Sequence, residues 1–140
     1  MLVLDATAND VKLVVRLELM RRRIRYELEL RGTGPQDLVV LHVEETGRFF
    51  LGGHQSSCVI DLKTMTVEHG FEHCLFWGFD RQTRPGFVLE TGELDCLFRA
   101  LDGRVLGKVP VDPPWLMFEE PGGLRFESIV HGSQFLPFPR

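Results

Sequence analysis

The densest group of chemically capable side chains in this chain is Glu68-His69-Gly70-Phe71-Glu72-His73-Cys74. Imidazole, carboxylate and thiolate are the donors that transition metals prefer. His69, His73 and Glu72 therefore form the candidate metal site, with Glu68 or Cys74 as other sources of a third ligand. Spacing limits the idea. Histidines four residues apart share a face on a helix, but Gly70 and the short apolar runs around it argue against helix. In an extended strand the two rings share a face yet lie about 13 Å apart. Only a tight turn centred on Gly70 brings them together, and the plainer expectation is a polar turn between strands. No cofactor beyond such a divalent transition metal is expected.

Other reactive types are present without the partners that chemistry needs. A cysteine nucleophile requires a base within reach and a lowered thiol pKa. Cys58 and Cys96 sit in apolar runs beside Ile60 and Phe98, as small core residues do. Cys74 adjoins His73, but consecutive strand side chains face opposite ways. Ser56, Ser57, Ser128 and Ser133 lack the Gly-x-Ser-x-Gly elbow. The carboxylate pairs Glu44-Glu45, Glu90 with Glu93, and Glu119-Glu120 fall at turns or strand ends, where solvated carboxylates are ordinary. Gly52-Gly53 and Gly122-Gly123 are not followed by Lys-Ser/Thr, so no phosphate loop is visible. The balance leans away from an enzyme, and no catalytic residue is assigned.

Aromatic bulk is the alternative resource. The chain has 11 Phe and 2 Trp against only 3 Ala. Adjacent aromatics on a strand point to opposite faces, so some of them reach the surface. Phe50, Trp77, Trp115 and Phe138 are the interface candidates, because buried aromatic anchors dominate protein interfaces. The competing role for the same residues is a core that uses both faces of a sheet.

Strands are the elements that must position these groups. Val11, Leu13, Val15, Leu17 and Leu19 alternate with polar residues, and Ile24, Tyr26, Leu28 and Leu30 do so with opposite parity. Period-2 alternation marks half-buried strands, so the pattern predicts an amphipathic ribbon that turns between Met20 and Arg23. Leu38–Val43 reads as a more central strand. Nine further apolar runs follow, at 49–51, 58–62, 65–67, 75–79, 87–89, 94–98, 105–109, 115–118 and 124–130. Their breaks hold most of the 14 Gly and 8 Pro, and Asp102-Gly103 has the composition of a two-residue hairpin turn. The segment 134–140, with two prolines, is expected to run across the surface.

One internal offset stands out. Phe49, Leu51, Cys58, Val67 and Trp77 meet Phe87, Leu89, Cys96, Val105 and Trp115 at a spacing of 38 residues. A unit of that size made of four short strands has the dimensions of a β-propeller blade. The expected fold is all-β: one domain, residues 1–140, with about ten short antiparallel strands in a sandwich or barrel of meander units. Within it, 1–48 forms the ribbon and a strand, 49–86 and 87–124 are candidate repeats, and 125–140 is a last strand and tail.

Charge and address narrow the functional classes. The net charge is −4, and the acidic excess lies entirely after residue 48. A nucleic-acid binder normally shows a basic footprint. The one basic cluster, Arg21-Arg22-Arg23 with Arg25, is answered by Glu18, Glu27 and Glu29. Three cysteines, no basic apolar leader and no long apolar run point to a cytoplasmic protein with reduced thiols, outside membranes. The expectation is a non-enzymatic protein-binding module, either an immunity-type inhibitor of a basic partner or a domain that self-associates as a homo-oligomer. A small metal-dependent barrel enzyme and a small-molecule-binding barrel are the rivals.

Overall fold

A computed structural model describes residues 38–53 and 55–140, together with the backbone course of 2–8, 13–19 and 22–28. It is almost entirely antiparallel β. The first sheet comprises β1 (Leu2–Ala8), β2 (Leu13–Leu19) and β3 (Arg22–Leu28), in the order β1-β2-β3. Its register pairs Leu13 with Leu28, Val15 with Tyr26 and Leu17 with Ile24. An odd position thus always meets an even one, which is why the two apolar alternations have opposite parity. Leu19 pairs with Arg22, and Met20 and Arg21 of the expected turn lie outside the described residues. β1 has no strong alternation of its own and is not anticipated by the pattern.

Two four-stranded meanders follow. β4 (Val39–Val43), β5 (Arg48–Gly53), β6 (Ser56–Asp61) and β7 (Thr66–Glu72) form one. β8 (Phe76–Gln82), β9 (Phe87–Gly92), β10 (Asp95–Arg99) and β11 (Val105–Pro110) form the next. A three-stranded sheet of β12 (Leu116–Glu120), β13 (Gly123–Ser128) and β14 (Gly132–Pro137) completes the described chain. Every apolar run from residue 49 onward therefore overlaps a strand, although the run 124–130 outlasts β13 by two residues. Each meander opens one strand earlier than the 49–86 and 87–124 units, with β4 and β8. Within the segment expected to run across the surface, residues up to Pro137 belong to the paired strand β14, and only 138–140 follow it. Pro137 is tolerated because it ends β14 on an edge. The Asp102-Gly103 turn is longer than two residues. Ala100 N–H donates to the Arg104 carbonyl and closes a loop in which Gly103 takes φ +98°.

The second meander is the middle layer, and its alternation serves two cores. Phe87, Leu89, Cys96 and Phe98 pack with Leu124, Phe126 and Leu136 of the last sheet. Val88, one residue out of phase, packs with Val43, Phe50 and Val59 of the first meander. Strands buried on both faces lose polar alternation, which explains the unbroken run of buried residues Phe87–Glu90. The other face of the first meander is covered too: Phe49, Leu51, Cys58 and Ile60 are all buried. Phe49, Phe50, Phe76, Phe87, Phe98 and Phe126 thus fill a multilayered core, while Phe118 and Phe135 stay exposed. Fully burying each contributes about 1.5–3 kcal/mol relative to exposure.

Candidate functional site

Two places in this framework hold chemistry-bearing side chains. The first is a buried polar cluster at the seam between the meanders. Glu90 on β9 and Arg99 on β10 are wholly buried, in phase with Val88 on the face that meets the first meander. Arg99 Nε donates to Glu90 Oε1 at 2.7 Å, and Ser57 Oγ donates to Glu90 Oε2 at 2.7 Å. His73 Nε2 donates to the same Oε2 at 2.6 Å. Arg99 also donates to Ser57 Oγ, the His69 carbonyl and the Gly103 carbonyl, at 3.0, 2.8 and 2.8 Å. Burial pushes the Glu90 carboxyl upward, but the His73 hydrogen bond and the Arg99 charge outweigh it and hold the pKa below the usual carboxylate range. Glu90 is a carboxylate in this setting, so the Nε2 proton resides on His73.

This cluster separates the candidate metal ligands. His73 is spent on Glu90, and its Nδ1 lies against Gly92, where a Cβ would stand only 2.3 Å away. His69 lies on β7 in the left-handed region at φ +52°, and its carbonyl serves Arg99. Glu72 is exposed at the end of β7. Among the described residues, no three His, Cys, Asp or Glu side chains are grouped to hold a metal. The local turn at Gly70 is absent because β7 continues through it as a bulged strand. Cys58 and Cys96 are buried, and burial pushes each thiol up to about 12. Cys74 is exposed; desolvation and the neighbouring Glu93 carboxylate raise its pKa as well. None of the three is an activated nucleophile.

The second place is one end of the layered sheets. The connections β7–β8, β9–β10, β11–β12 and β13–β14 all lie there, since each meander strand reverses direction. Trp77 and Trp115 stack across it, with ring centroids 5.2 Å apart and planes 18° from parallel. Trp115 also packs edge-on against Phe126. Around this pair, Trp77 is 44% exposed, Leu116 63%, Ile129 84% and Val130 69%. Leu94, in the β9–β10 turn, is exposed as well.

Of the four interface candidates, Trp77 and Trp115 are brought together at this end. Phe138 is partly buried at the opposite end, against Phe87 and Phe98. Phe50 is sealed in the core with no exposed surface, because its face of β5 is the one that meets the middle sheet. Sequence reasoning missed Leu116, Ile129 and Val130. Ile129-Val130 continue an apolar run that reads as strand, whereas the ladder stops at the Ser128–Gly132 pair and leaves them on the hairpin tip. Glu90 and Arg99 were also missed as partners, since nothing local links a strand carboxylate to an arginine nine residues later. No helix among the described residues is long and apolar enough to cross a membrane. No protein family, no curated protein and no solved structure matches this chain.

Proposed function

We propose that the protein is a non-enzymatic binding module that docks another protein on the end bearing Trp77 and Trp115. One observation carries this reading: large apolar side chains are exposed at a single end, Trp77 and Leu116 at the starts of β8 and β12 and Ile129 and Val130 on the β13–β14 turn. Aromatic and aliphatic side chains gathered on a rigid sheet framework are what interfaces use as anchors. In the buried Ser57–His73–Glu90–Arg99 cluster the side chains are engaged with one another across the seam. The 38-residue spacing belongs to the same reading. Trp77 stands near the start of the second meander and Trp115 just before the last sheet, so the 38-residue spacing sets one tryptophan at the entry to each of two successive sheets.

The test is site-specific photo-crosslinking in cells that make the protein. A photoreactive residue at Leu116 or Ile129 should give a discrete adduct with one protein, and the same residue at Thr83, exposed at the far end, should not. Absence of an adduct from the Trp77 end, or equal labelling from both ends, overturns the proposal. An adduct of two copies of this chain would identify the partner as itself.

A further inference from the structure

We infer that the partner is a basic protein, presenting Lys or Arg side chains around an apolar patch. The inference rests on the protein-binding reading and adds the partner's chemistry. It comes from how charge is distributed between the two ends. Among the described residues, the segments 72–77, 92–95, 110–116 and 128–132 at the Trp77 end contain Glu72, Glu93, Asp95 and Asp112, and one cation stands close by, Lys108, which lies over the Phe71 ring at 5.6 Å. The far end carries Arg48, Lys63, Arg81, Arg84, Arg104 and Arg140 among its acids. Several of these are already paired: Arg48 with Glu68 and Asp61, Arg81 with Glu45, Arg104 with Asp102. Exposed apolar surface and an excess of carboxylates therefore coincide at the same end of the described residues.

That coincidence selects among occupants. Phosphate backbones and anionic lipid surfaces are disfavoured by a rim whose described charges are mostly carboxylates. A second copy docking end to end would set four carboxylates against the same four, and like-charge juxtaposition opposes wrong partners. A basic surface meets both features: its apolar centre covers Leu116, Ile129 and the tryptophan pair, and its cations answer the rim. Rim charges of this kind chiefly raise the association rate and make it salt-dependent.

A random peptide library displayed for selection on the full chain tests this directly. Selected sequences should interleave Lys or Arg with Leu, Phe or Trp. Their binding should fall at least tenfold for Leu116→Ser/Ile129→Ser, a change confined to exposed side chains. It should also fall roughly tenfold when Glu72→Gln, Glu93→Gln, Asp95→Asn and Asp112→Asn are combined, mainly in the on-rate. Raising salt from about 0.05 M to about 0.5 M reads the same quantity without any substitution. Peptides that need Leu116 and Ile129 but carry no basic excess, with no salt dependence, overturn the charge inference and leave the docking surface standing. If no selected peptide depends on Leu116 or Ile129, the docking reading falls, and this inference with it.

Discussion

Arg99 is the residue on which the seam turns, because it contacts both meanders and engages four of its five N–H donors within the protein. Desolvating a pair such as Arg99–Glu90 costs several kcal/mol, so its net stabilisation is small while the damage from breaking it is large. Arg99→Met should lower the unfolding free energy by about 3–5 kcal/mol in denaturant titration. Arg99→Met combined with Glu90→Leu should lose clearly less, since no buried charge is left alone. A double variant as unstable as the single one would show that the cluster does more than satisfy itself. The depressed Glu90 pKa fixes the sign of the pH response. The unfolded carboxyl titrates near the ordinary value of about 4.3, above the folded one. The contribution is thus present in full above that pH and is lost as pH falls through the folded value. Glu90→Gln should flatten the acid limb of the stability curve, and an unchanged limb would contradict this assignment. Thiol chemistry gives a second residue-scale check. With Cys58 and Cys96 buried and Cys74 exposed, alkylation of the native protein should modify Cys74 first, the others reacting only on unfolding.

Among the elements, β12 separates exposure from burial most sharply. Leu116, Met117 and Phe118 are all exposed on this edge strand, whereas Phe126, paired with Met117, is fully buried. Phe118→Ser should shift stability by less than about 0.5 kcal/mol, while Phe126→Ala should cost about 3–5 kcal/mol. Urea melts of the two variants check the pair. Strands were the most legible feature of the sequence, because alternation and Gly/Pro breaks report backbone period directly. Leu13–Leu19 and the runs from Phe49 onward needed nothing else. Sheet membership was less legible. Nothing within Phe87–Leu89 says that alternate residues serve different layers, and that fact alone decides whether Phe50 is core or surface. Candidate chemistry was the least legible. The His69–Cys74 cluster is dense in sequence, but the polar cluster that forms draws Ser57, Glu90 and Arg99 from other strands.

At the scale of the whole molecule, the described sheets are layered with the second meander between two neighbours. Its strands β9 and β10 are covered on both faces, while β12 and β14 lie at the sheet edges of the last layer. Local opening should therefore be hardest in the middle. Native-state amide exchange is expected to be slowest for Val88–Glu90 and Leu97–Arg99, and fastest in β12. Comparable protection throughout would mean that the layers open as one unit.

The seam also orders events during synthesis. The Ser57 hydroxyl meets Arg99, which lies 42 residues further along the chain. While the first meander is leaving the ribosome, the side chain that will occupy its polar notch has not yet been made. Val59 and Phe50 likewise await Val88. Nascent protein of this kind presents an apolar, half-finished sheet for the seconds that those residues take to emerge, and it becomes a candidate for chaperones during that interval alone.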